Sequence, residues 1–220
     1  MILPNRIAGV RIPDSQLARE ATELAHACSE PTIFNHVVRT YVFAELAAQK
    51  LDVRHDLEVL YVASVLHDLG LTERFAADER FEVDGADAAR TFLLERGVDV
   101  ARTALIWDAI ALHTTVGIAD RKEPEVALVH LGTQLDVVGV TVKSSQMHVR
   151  DLPSEALEEI LTVLPRLGIQ QALGDAVGRL LVKKPHTAYF TFATDIARRH
   201  VPNFREPSYY ESLKMGCFRD

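Results

Sequence analysis

The chain has 220 residues, 48% of them hydrophobic and 25% charged, with 24 basic against 31 acidic side chains and a formal net charge of −7. That share of apolar residues is enough to bury a core, which excludes a disordered chain. No run of Lys or Arg exceeds a pair, so the electrostatic footprint needed to hold a nucleic acid or an anionic membrane is missing. Two cysteines, Cys28 and Cys217, cannot build a disulfide framework or a thiolate zinc site, and they suit reducing surroundings.

The N-terminus is interrupted by Pro4, Asn5 and Arg6 before any long apolar run forms, so it is not read as a signal peptide. No segment approaches ~18 uninterrupted apolar residues, and the expected location is cytoplasmic. Hydrophobic residues then recur at helical spacing in one segment after another. Asp14 is placed to cap a helix to about Cys28, and Pro31 to open the next. Asp56 precedes Leu57 to Leu66, a stretch apolar nearly all round apart from Glu58 and Ser64, which predicts a central buried helix. Gly70 is the expected stop of that helix, and Thr72 to Glu82 reads as a polar loop.

Amphipathic helices are predicted over Asp84 to Arg96, Val100 to His113 and Glu123 to Val138. A loop follows Gly139. A helix capped by Asp151 or Ser154 runs to about Arg166, another spans Ile169 to Val182, and a last long one spans Thr187 to His200. The tail from Pro202, with Tyr209 and Tyr210, is read as a lid or arm, or as a surface a second copy could cover in a homo-oligomer. With no repeat, linker or low-complexity segment, the expectation is one all-α domain over 1–220, with its core at about 32–139 and C-terminal helices and tail over 151–220.

The adjacent pair His67-Asp68 ends the most apolar helix. Burying an ionised carboxylate beside an imidazole costs several kcal/mol unless charge compensates it, and a divalent cation supplies that charge. Other ligand types lie on inward helix faces. His36 falls one turn from Ile33, and Asp136 sits in the apolar run Val126 to Val138 with Gly132 one turn before it, a spacing read as leaving room for something bound. Two imidazoles and two carboxylates, His36, His67, Asp68 and Asp136, suit one divalent transition metal, with Zn first and Fe, Mn, Co or Ni open.

His36, then His67-Asp68, then Asp136, on an all-helical chain, resembles the H…HD…D signature of the HD-domain metalloenzymes. Four blocks, Asn35 to Arg39, Leu66 to Gly70, Arg80 to Ala89 and Ala109 to Thr114, are similar to the branch that includes cyanamide hydratase. The resemblance runs from Thr32 to Gly139 and implies an HD-type helical bundle with a metal site, while leaving the reaction open, because fold does not fix function.

A metal lowers the pKa of water toward ~7, and Asp68, as ligand and hydrogen-bond partner of that water, is the expected general base. His113 is expected to act as a substrate donor, a proton shuttle or a ligand of a second metal. Arg39, Phe81, Glu82 and Thr114 are the expected substrate contacts, although Arg39 serves equally well as a partner of an inner carboxylate. His130 is read as turned away from the ligand face. The first functional reading is a hydratase or hydrolase that adds water to a small molecule such as a nitrile or cyanamide. Its rival is a phosphohydrolase acting on a nucleotide or other small phosphomonoester, which needs phosphate-clamping cations, with Arg39, Arg74, Arg80, Lys122 and Lys143 as suppliers. A di-iron oxygenase would need a histidine that the stretch from Asp68 to His113 lacks, and a scaffold with a vestigial site would leave buried carboxylates as a stability cost.

Overall fold

The computed structural model describes residues 3–139 and 149–214. Its N-terminal segment forms an antiparallel hairpin, β1 (Arg6–Ile7) and β2 (Val10–Arg11), with Ile7 opposite Val10. The two turn residues, Ala8 and Gly9, have φ of 49° and 79°, the backbone that a two-residue hairpin turn demands. The other regular elements among the described residues are helical, so the all-α class holds.

Helix α1 (Gln16–Cys28) is capped by Ser15, whose Oγ accepts from Ala18 N at 3.1 Å. Asp14, the expected cap, instead accepts from Arg11 Nη2 at 3.0 Å. Helix α2 (Pro31–Leu51) opens on Pro31 as predicted, where the missing N–H costs nothing. Asp56 caps α3 (Leu57–Leu66) by accepting from Glu58 N and Val59 N at 3.0 and 3.1 Å. The apolar shell of α3 is buried from Val59 to Leu66, and each such Val or Leu side chain contributes about 1.5–3 kcal/mol of transfer free energy.

Helix α3 ends at Leu66 rather than at Gly70, which sits in a 3-10 turn over Leu69–Leu71. The reason for glycine there is close approach. A Cβ on Gly70 would lie 1.9 Å from Phe81 O and 2.8 Å from Gly85 N, both in α4 (Phe81–Leu94). Helix α4 therefore starts three residues before the predicted Asp84, pressed against the turn that follows Asp68. Asp84 accepts from Ala77 N and Glu79 N at 2.8 and 3.1 Å, which folds the polar loop back onto the helix it precedes.

Helix α5 (Val100–Leu112) is capped by Asp99, and α6 (Pro124–Val137) packs along α2. At that crossing a Cβ on Gly132 would lie 2.2 Å from Thr40 O and 3.0 Å from Ala44 Cβ. Gly132 thus serves helix–helix contact and leaves no room for a ligand, contrary to the sequence expectation. Helix α7 (Ser154–Val163) stops short of Pro165 and has no side-chain cap. Leu167 and Gly168, both at positive φ, turn the chain into α8 (Ile169–Lys183).

The chain divides into two compact units, residues 1–173 and 174–220. In the second, the predicted helix from Thr187 to His200 is broken into a 3-10 turn (Pro185–Ala188) and α9 (Ala193–His200), with Phe190 at φ 59° between them. Glu206 fixes that break by accepting from Phe190 N at 2.7 Å and Thr194 Oγ1 at 2.9 Å. The His200 ring lies where a Cβ on Gly178 would be, 2.6 Å away. Tyr209 and Tyr210 lie exposed on α10 (Tyr209–Lys214). The predicted loop after Gly139, with Lys143 and His148, falls outside the described residues, as does Cys217. No described helix is long and apolar enough to cross a membrane.

Candidate metal centre

Four residues from three helices converge on one buried point. His36 comes from the middle of α2, His67 and Asp68 from the end of α3, and His113 from the end of α5. All four are at most 3% exposed. His36 Nε2 and His67 Nε2 lie 3.5 and 3.4 Å from the same oxygen, Asp68 Oδ2, and His113 Nε2 lies 3.8 Å from Asp68 Oδ1. The rings pack edge to face, with centroids 5.1 Å apart for His36 and His67 and 4.7 Å apart for His67 and His113.

Each imidazole is turned by its other nitrogen. His67 Nδ1 donates to Ser64 O at 2.7 Å and His113 Nδ1 to Ile110 O at 2.6 Å, since a carbonyl oxygen only accepts. His36 Nδ1 lies 2.6 Å from Asp136 Oδ2, and an ionised carboxylate also only accepts. In a neutral ring held this way the lone pair is on Nε2, so three Nε2 atoms face Asp68. Burial pushes the His67 imidazole down to about 3, against the opposing charge of Asp68 and with help from His113 and His36. That ring is neutral at pH 7.

His36 Nε2, His67 Nε2 and Asp68 Oδ2 have no hydrogen-bond partner although all three are buried, a costly arrangement if nothing binds there. They lie within 4.8 Å of one another. Donor atoms sharing a tetrahedral ion with bonds of ~2.0–2.1 Å stand ~3.4 Å apart, close to the two separations measured to Asp68 Oδ2. The set of two imidazoles and a carboxylate fits a divalent metal, and it leaves coordination positions open for water and substrate.

Asp136, the fourth ligand expected from sequence, is not in that group. Its Oδ2 accepts from His36 Nδ1 and from Arg39 Nη2 at 2.9 Å, and its Oδ1 accepts from Arg39 Nε at 2.8 Å and Arg166 Nη1 at 3.1 Å. Burial alone would raise this carboxyl, but the hydrogen bonds from His36 and Arg39 and their charge hold it well below the usual carboxylate range. Arg39 takes the second of its two expected roles, as partner of an inner carboxylate. It is fully buried, with Nε and Nη2 on Asp136 and Nη1 on Leu164 O and Pro165 O at 3.0 and 3.1 Å. Nothing of it reaches a substrate, because the inner carboxylate takes its planar fork.

The other predicted contacts gather beside His113. The Phe81 ring meets the His113 ring at 5.7 Å. Glu82, in the first turn of α4 and nearly inaccessible, accepts from Arg80 Nη2 at 2.5 Å and Nε at 3.1 Å and from Thr114 Oγ1 at 2.6 Å. Burial raises the Glu82 carboxyl, yet Arg80, His113 and Thr114 outweigh it and hold the group below its ordinary range. Thr114 Oγ1 donates its hydrogen bond to Glu82 and accepts one from Arg80 Nη2 at 3.3 Å, so toward a substrate its remaining capacity is as an acceptor.

Sequence reasoning passed over His130 and Arg166. His130 is buried on α6, donates through Nδ1 to His113 O at 2.6 Å, and has Gln134 Nε2 2.6 Å from its Nε2. It braces the chain at His113 from the neighbouring helix. An inward histidine in an apolar run was the available signal, and the angle to Asp136 obscured it.

Comparison with protein-family models matches residues 33–142 to the HD domain. The matched span opens within α2 and contains His36, His67, Asp68, His113 and Asp136. No curated protein matches the chain.

Proposed function

The chain belongs to the HD-domain family of metal-dependent hydrolases, and from that premise we propose that it adds water to a small uncharged or weakly charged molecule, such as a nitrile or cyanamide, the latter giving urea. His36, His67 and Asp68 hold a divalent ion in this reading, with zinc as the first candidate. When bound, such an ion lowers the pKa of a water toward ~7 and supplies the nucleophile at neutral pH.

The protein's own groups then manage protons. Asp68 Oδ1, the oxygen turned toward His113, accepts from the attacking water. His113, whose Nδ1 is tied to Ile110 O, handles a proton only at Nε2 and relays it. In hydration of a C≡N group the water oxygen bonds to carbon while a proton goes to nitrogen, giving the isourea form that tautomerises to urea. In this reading Thr114 Oγ1, oriented by its hydrogen bond to the buried Glu82 carboxylate, accepts from an amino group of the incoming molecule. Phe81 supplies an apolar wall beside His113.

One observation carries this choice over phosphate-ester hydrolysis: among the described residues, the candidate phosphate-clamping cations are paired with carboxylates or lie at the surface. A phosphoryl group needs positive charge aimed at its oxygens. Arg39 is consumed by Asp136, and Arg80 is held in two hydrogen bonds by Glu82. Arg74 is exposed and stacks over Phe75, and Lys122 pairs with Asp108 and Glu123 on the surface. Apart from the ion itself, the described site offers a ligand carboxylates and imidazoles, which suit a neutral molecule better than a dianion. The test is an assay of purified protein for urea from cyanamide alongside phosphate release from a nucleotide panel. Urea without phosphate is expected, and phosphate without hydration would overturn the reading.

A further inference from the structure

Behind the metal centre lies a second layer, half-buried at Arg166, that reaches beyond the family-matched span. The segment between α7 and α8 is fastened to the first half of α2 by side chains. Asn35 Nδ2 donates to Pro165 O at 3.0 Å, and Arg39 Nη1 donates to Leu164 O and Pro165 O. From this segment Arg166 reaches into the site's back wall. Its Nη1 donates to Asp136 O at 2.7 Å and to Asp136 Oδ1 at 3.1 Å, while Asp136 Oδ2 takes the Nδ1 proton of His36. The order is Arg166, Asp136, His36, and then the Nε2 atom that faces Asp68.

We propose that Arg166 is a positioning residue of the metal centre, acting through Asp136 to fix the rotation of the His36 ring and the lone pair on its Nε2. The physical grounds are three. An ionised carboxylate offers about four acceptor positions, and four hydrogen bonds fill them here, two from Arg39, one from His36 and one from Arg166. Arg39 spans both oxygens and sets the plane of the carboxylate, and Arg166, by gripping Oδ1 and the backbone oxygen of the same residue, ties that side chain to the helix that carries it. Carboxylates that orient a ligating histidine set its basicity and its aim, and their loss commonly lowers metal affinity by ~10–100-fold. Arg166 acts one contact further out, so the lower end of that range applies to it.

The inference rests on the reading that His36 is a ligand, and the test keeps the two apart. Zinc affinity of the chelator-stripped full chain is measured by competition with a chromophoric chelator, and cobalt loading is followed by its visible absorption, for wild type, Arg166→Ala, Arg166→Lys and Asn35→Ala. Wild type is expected to bind one ion. Arg166→Ala should bind about tenfold more weakly, with an altered cobalt spectrum, and Arg166→Lys should recover part of the affinity by keeping one donor. Asn35→Ala cuts another anchor of the same segment without touching Asp136, and should leave affinity and spectrum at wild-type values. Wild-type binding matched by Arg166→Ala would overturn the role of Arg166. Equal losses in Asn35→Ala and Arg166→Ala would also overturn it, because general anchoring of the segment would then set the affinity. A wild type that takes up neither metal would overturn the reading beneath it.

Discussion

His36 gives its Nδ1 proton to Asp136 Oδ2 across 2.6 Å inside a wall where neither residue is more than 1% exposed. The same carboxylate balances Arg39, which is fully buried. Removing the charge from one member of such a group leaves the other buried and unpaired, at ~3–5 kcal/mol. Asp136→Asn is therefore expected to destabilise the metal-free protein by about 3 kcal/mol. Adding Arg39→Met should restore part of that loss, since the stranded guanidinium is then gone. Guanidinium denaturation in chelator checks both, and a double variant less stable than Asp136→Asn alone would contradict the pairing.

Glu82 sets the charge the substrate meets. Glu82→Gln frees Arg80, whose strongest contacts are to that carboxylate, and turns a wall of acceptors into one carrying a cation. Inhibition by inorganic phosphate is expected to tighten by about tenfold, equivalent to 1.4 kcal/mol, while hydration of an amino-bearing substrate falls. Steady-state inhibition measurements on the two proteins decide it. An unchanged inhibition constant would show that Arg80 does not look into the site.

Two glycines are required by packing and a third is not. A Cβ at Gly70 or Gly132 would meet a backbone oxygen at 1.9 or 2.2 Å, so Gly70→Ala and Gly132→Ala must push whole elements apart and should each cost about 3 kcal/mol or more. Gly174, within α8, has nothing within 4 Å of its missing Cβ, and Gly174→Ala should stabilise by roughly 0.5–1 kcal/mol. Thermal melts of the three variants test the contrast.

Acid should weaken the metal-free fold in a defined window. Burial holds the folded His67 imidazole at about 3, below its ordinary 6.5, so between those values the unfolded chain binds a proton that the folded chain refuses. Stability then falls as pH drops below 6.5, at up to about 1.4 kcal/mol per pH unit for this one group. Asp136 and Glu82, held low when folded, are protonated first in the unfolded chain and deepen the loss below about pH 4. Denaturant melts in chelator at pH 7.5 and 5.5 measure the slope, and His67→Asn should flatten it. An unaltered slope in that variant would contradict the assignment.

Much of the site was legible because its residue types are expensive where they stand. His67 and Asp68 at the end of a nearly all-apolar helix, and Asp136 within an apolar run, demanded partners, and α5 and α6 have nearly the predicted bounds. The partner of Asp136 was not legible. Helical spacing shows that it faces inward, but not that Arg39 and Arg166 reach it from two other segments. Gly70 and Gly132 were read through local rules, as a helix stop and as free room, when Gly70 is required by the start of the next helix and Gly132 by α2, far away in sequence. The break at Phe190 was missed because its cause is Glu206, beyond the helix it interrupts.

In this reading His36, His67 and Asp68 hold a divalent metal. Elemental analysis of the purified full chain tests it most directly, with Asp68→Ala in parallel. About one divalent ion per wild-type chain and none in Asp68→Ala is the predicted result; an Asp68→Ala protein that keeps both its metal and its activity would contradict the account.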